Sequence, residues 1–94
     1  MNNVKLKHLN SGDLICLCKY KSYWFTPVYH TSRIEISQQQ LFVVISCIKI
    51  FNKWNNTSSW KLTLNAGCHG NVFVVADEGS LLEDIIFRLN GSDS

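Results

Sequence analysis

Cys68 and His69, with Cys16 and Cys18 upstream, form the set of soft thiolates and imidazole that tetrahedral zinc takes. The spacing argues against it. A Cys-x-Cys pair on a strand points both thiols one way, about 6–7 Å apart along it, and the chain has no Cys-x₂-Cys knuckle. Cys68 could instead act as a nucleophile, with His30, His69 or His8 as base and Asp77 as orienter. That spacing follows no known nucleophile arrangement. No nucleophile elbow, phosphate-cradling loop or His-x-Glu deaminase motif accompanies it. The sequence therefore predicts no enzyme, no catalytic residue, no cofactor and no metal, with cysteines serving as packing or turn thiols.

Recognition chemistry is better represented. Lys19-Tyr20-Lys21-Ser22-Tyr23-Trp24-Phe25, with Tyr29 and His30 behind it, interleaves flat aromatic faces with cations. Aromatics anchor protein interfaces and stack on bases, while lysines steer charged partners or neutralise phosphates. In Tudor-like barrels, comparable aromatics cage a methylated cation. Trp54, flanked by Lys53 and Asn55-Asn56, sits among polar residues with little core to enter. Tyr20, Tyr23, Trp24, Trp54, Lys19, Lys21 and Lys53 are thus the candidate partner-binding residues. Asp77-Glu78, Glu83 and Asp84 suit a divalent cation or phosphate mimicry, and a solvated turn accounts for them equally well.

The elements that must position these groups follow from pattern. Leu14–Cys18 alternates with both faces apolar, after a Ser11-Gly12-Asp13 turn. Tyr20–Phe25 reads as a bend between strands, and Pro27 limits Trp24–Tyr29 to an edge strand at best. Arg33–Ile36 alternates charge and isoleucine. Leu41–Phe51 is the strongest strand, rich in β-branched residues and long enough to bend. A polar tip, Asn52–Ser59, leads to the alternating Trp60–Leu64. A two-glycine turn then precedes Val72–Val75. Ser80-Leu81-Leu82-Glu83 matches a capping box, with Ser80 as N-cap and Glu83 reaching back. The sequence favours a short helical turn there followed by a strand over Ile85–Leu89, against a helix of about two and a half turns.

Ninety-four residues at 46% apolar and 17% charged exclude global disorder and allow one domain. The reading is an arm over 1–10, a domain over 11–89 and a flexible tail over 90–94. No apolar run follows the basic N-terminal residues, and Leu41–Ile50 is too short for a helix that needs about 20 residues to cross a bilayer. A cytoplasmic protein without membrane association is expected. Charge is divided: +5 over residues 1–53 and −3 over 54–94, by the Lys/Arg and Asp/Glu of each part. That dipole is usable for docking.

The Gly12-Asp13-Leu14 opening, the long β-branched strand, the hairpin and the closing Leu82-Glu83-Asp84-Ile85-Ile86-Phe87-Arg88-Leu89 together resemble a small SH3-like barrel. Small accessory proteins of tailed bacteriophages look like this, and the Asn-, Lys-, Ile- and Ser-rich usage suits an AT-rich phage genome. The resemblance implies a viral accessory role in a host cytoplasm and no particular activity. The expected fold is all-β: an SH3-like barrel of five or six strands with a short C-terminal helical turn. The alternative is α+β, with a C-terminal helix on an antiparallel sheet. The expected function is a non-enzymatic protein-interaction module; the alternative is a nucleic-acid-binding barrel, and a third reading is a small-ligand sponge or enzyme. Edge strands add homo-oligomer formation as a further expectation.

Overall fold

The computed structural model describes residues 2–17, 22–29, 32–37 and 40–89. The chain forms strands β1 (Asn2–Asn3), β2 (Leu14–Leu17), β3 (Ser22–Pro27), β4 (Ile34–Ser37), β5 (Leu41–Asn52), β6 (Thr57–Asn65) and β7 (Asn71–Asp77), helix α1 (Leu81–Ile85) and strand β8 (Ile86–Arg88). Two 3₁₀ turns, Leu6–His8 and Gly67–His69, complete it. All pairings are antiparallel, in the order β1-β8-β2-β5-β6-β7-β3-β4.

The all-β expectation holds, but the described residues form eight strands where five or six were expected. The additional ones carry weak periodic signals. Asn2–Asn3 is a two-residue polar bridge, and Ser22–Pro27 is a continuous strand where the sequence suggested a bend. β3 lies between β7 and β4 in the ladder, but each of its residues pairs on one side only. Its residues 22–25 pair with β4, and 26–27 pair with β7. The Val28 N–H donates to Asn71 O at 3.0 Å, so Pro27, one residue earlier, turns its nitrogen away from β7. Pairing with β4 ends at Phe25, so no ladder bond is lost on that side.

The sheet curls into a half-barrel. The Phe25 and Phe42 ring centroids lie 5.4 Å apart, although β3 and β5 are three places apart in the ladder. In a flat sheet three places span about 14 Å. One device for this curl is in β5, where the register shifts between Val44 and Ser46. The extra residue, Ile45, bends the strand and brings Cys47 round to the inner face opposite Leu62. Inside the curl lie Ile15, Leu17, Phe25, Ile36, Phe42, Val44, Leu62, Leu64 and Val72, all buried. Val4, Leu6 and Leu9 from the first ten residues enter the same core, as do Leu82, Ile85 and Ile86 from the closing segment.

The closing segment forms as a short helix that passes directly into a strand. Five residues make barely more than one turn, so the α+β alternative with a helix over the sheet is not what forms. Ile86-Phe87 then joins the ladder against Leu17 and Cys16. The capping box differs from expectation. Ser80 makes no side-chain cap bond, and its hydroxyl oxygen is buried without a partner. Glu83 reaches one residue further back, accepting the Gly79 N–H, and its other oxygen accepts the Leu6 N–H at 2.7 Å.

Candidate functional site

The β5–β6 hairpin carries Lys53 and Trp54 at its tip, in the turn 53–56. Asn56 adopts φ 57, the left-handed conformation that asparagine tolerates better than most residues. Asn55 Oδ1 accepts from the Thr57 hydroxyl at 2.6 Å and from the Thr57 N–H at 3.3 Å, which fixes the turn locally. Within this ordered turn Trp54 is 98% exposed. Lys53 beside it is exposed as well.

The aromatic stretch on β3 divides between two faces, as strand alternation requires. Phe25 is buried. Tyr23 points the same way, half-buried against the core, with its ring 5.6 Å from that of Phe25. Trp24 points outward, 53% exposed, with Glu35 as its cross-strand neighbour. Tyr29 follows in a turn and is exposed. Of the residues singled out from sequence, Trp24, Trp54 and Lys53 are therefore accessible, whereas Tyr23 belongs largely to the interior. Lys19, Tyr20 and Lys21 lie outside the described residues, as do Cys18, His30 and the tail over 90–94.

The residues considered for metal or nucleophilic chemistry are dispersed. Cys68 and His69 are exposed in the 3₁₀ turn between β6 and β7. Asp77 lies at the far end of the seven-residue β7, about 20 Å along the strand from that turn. Cys16 sits half-buried on the outer face of β2, while Cys47 is on the inner face of β5. Among the described residues, no three His, Cys, Asp or Glu side chains gather closely enough to hold a metal ion. The Cys47 thiol donates to Leu6 O at 3.2 Å. Burial, with the nearby Glu83 carboxylate as second cause, pushes its pKa from an ordinary 9.0 up to about 11. Such a thiol is a poor nucleophile.

The acidic residues are largely committed internally. Asp77 accepts from the Ser59 hydroxyl, Glu78 from the Trp60 indole N–H at 3.3 Å, and buried Glu83 from two backbone amides. A shallow depression of about 240 Å³ lies beside them, lined by Lys5, Lys7, Glu78, Gly79 and Glu83. Among the described residues, no helix is long and apolar enough to cross a membrane.

Sequence reasoning passed over one prominent surface. The outer side of β5 presents Leu41, Val43, Ile45, Ile48 and Ile50, all exposed, and Val75 on β7 is exposed in the same row as Ile48. The signal was available in the nearly unbroken apolar character of Leu41–Ile50, interrupted by Ser46, Cys47 and Lys49. A strand buried on one side only should alternate, and this one does not. No protein-family model matches the chain, and no curated protein or solved structure proves similar to it.

Proposed function

We propose that this chain is a non-enzymatic interaction module that docks on a partner protein through Trp54 and Trp24, with Lys53 at the rim. The observation that carries the reading is Trp54. A tryptophan held 98% exposed on an ordered hairpin tip has a large apolar surface to bury on contact. Lys53 beside it adds electrostatic steering at little desolvation cost. The resemblance to small SH3-like barrel proteins of tailed phages supports a viral accessory role in a host cytoplasm, and the curled all-antiparallel sheet is compatible with it.

Affinity capture from the native cell with wild type, Trp54→Ala and Trp24→Ala tests this reading. The expected result is a protein retained by wild type and lost with Trp54→Ala, whose binding as a purified pair changes little between low and moderate salt. Filter binding to single- and double-stranded oligonucleotides runs in parallel. Retention that falls steeply with salt there, with no Trp54-dependent protein captured, would replace a protein partner by nucleic acid.

A further inference from the structure

We propose that the outer face of the β5–β6–β7 meander is the interface of a homodimer, packed sheet against sheet. Cross-strand register sets out its rows: Ser46-Thr63-Phe73, then Ile48-Lys61-Val75, then Ile50-Ser59-Asp77. Leu41 and Val43 extend the apolar surface toward β2, opposite Cys16 and Leu14. Leu41, Val43, Ile45, Ile48, Ile50 and Val75 are each between 39% and 57% exposed. Together they present roughly 500 Å² of aliphatic surface, near the upper end of what a monomer leaves uncovered. A standard interface buries about 800 Å² per partner, so the polar residues around them would have to supply the remainder.

The occupant is a second copy because the face complements itself. Among the described residues of those three rows, the charges are one cation, Lys61, and one anion, Asp77. A two-fold axis between their rows sets Lys61 of each copy against Asp77 of the other, with Ile48, Ile50 and Val75 around it and Leu41 and Val43 beyond the contact, so the buried charge sums to zero. Lys61 already lies flat, its Nζ 4.8 Å above the Phe73 ring, so its stem adds to the apolar surface. Two copies of one sheet also share the same right-handed twist, which aligned face-to-face packing at about 10 Å separation needs.

Sedimentation velocity on the full chain, from about 1 to 200 μM, tests this. The expected wild-type species has twice the 10.8 kDa chain mass. Ile48→Asp and Val75→Asp change exposed side chains and should keep the wild-type circular dichroism while weakening the dimer about 100-fold or more. Lys61→Asp and Asp77→Lys should each weaken it about 10-fold, and the double variant should regain affinity. A wild type that stays monomeric throughout overturns the proposal. So does a dimer that survives Ile48→Asp in a folded chain, whether it then pairs through the β4 edge or elsewhere, or a double variant no tighter than the single ones. Trp54-dependent capture of another protein is read separately, so either result can fail without the other.

Discussion

Replacing Glu83 by alanine should loosen the N-terminal segment from the rest of the domain. The side chain is 6% exposed, and its carboxylate accepts the Leu6 N–H at 2.7 Å and the Gly79 N–H. Alanine removes both acceptors. The Leu6 donor is buried with no other acceptor in place, at a cost of about 1.5–3 kcal/mol for a bond to a charged group. The Gly79 donor is part-buried and regains water, adding about 1 kcal/mol. The total of about 2.5–4 kcal/mol is a large share of the roughly 5–15 kcal/mol that holds a domain together. For a domain of this size, each kcal/mol moves the melting midpoint by about 4–8 °C, so Glu83→Ala should melt more than about 10 °C below wild type. Glu83→Gln keeps one acceptor and should fall about midway. Urea titration at constant m-value supplies the free energies, and hydrogen exchange at the Leu6 amide reports the local release. Asp84→Ala, one residue on and exposed, should stay within about 0.5 kcal/mol. A Glu83→Ala chain as stable as Asp84→Ala would refute the reasoning.

Cys47 and Cys68 should differ sharply toward a thiol reagent at pH 8: exposed Cys68 is modified within the native state, and Cys47 only on unfolding, as peptide mapping by mass would show. Because the folded Cys47 pKa is raised to about 11, the native state holds this proton more tightly than the unfolded one. Its contribution to stability is complete below pH 9 and declines as pH rises toward 11, so Cys47→Ser should flatten the alkaline limb of a stability–pH curve. At the hairpin tip, Asn56→Val should cost about 1–2 kcal/mol through its left-handed backbone, whereas Asn56→Gly should be neutral or better in the same urea titration.

Much of the sheet was readable from periodicity, and the exceptions have identifiable causes. Leu41–Phe51, Trp60–Leu64 and Val72–Val75 announced themselves by β-branched content and alternation, and they form the central meander. β3 was harder to read because Pro27 argues for an edge; only the ladder shows that its missing donor faces a side where pairing has ended. The role of Glu83 was half legible. Its helix-start position was evident, but the amide it holds belongs to a residue 77 positions away, a distance no local pattern encodes. For the candidate site, Trp54 could be recognised from its polar neighbours alone. Tyr23 and Trp24 could not be told apart until strand phase placed one inward and one outward. The outer row of β5 was visible as residues but not as surface, since which side of an apolar strand stays uncovered depends on how far the sheet curls.

The bond from Leu6 to Glu83 and that from the Asn3 side chain to Ile86 O, 83 positions away, join the two extremes of the domain. During synthesis at about 5–20 residues per second, Leu6 is added to the chain roughly 4–15 seconds before Glu83. For that interval Val4, Leu6 and Leu9 have neither the carboxylate nor the last strand to hold them. Nascent chains halted just short of residue 83 should therefore carry an unlatched, protease-sensitive leading segment, and vectorial folding of this domain can only finish from its far end.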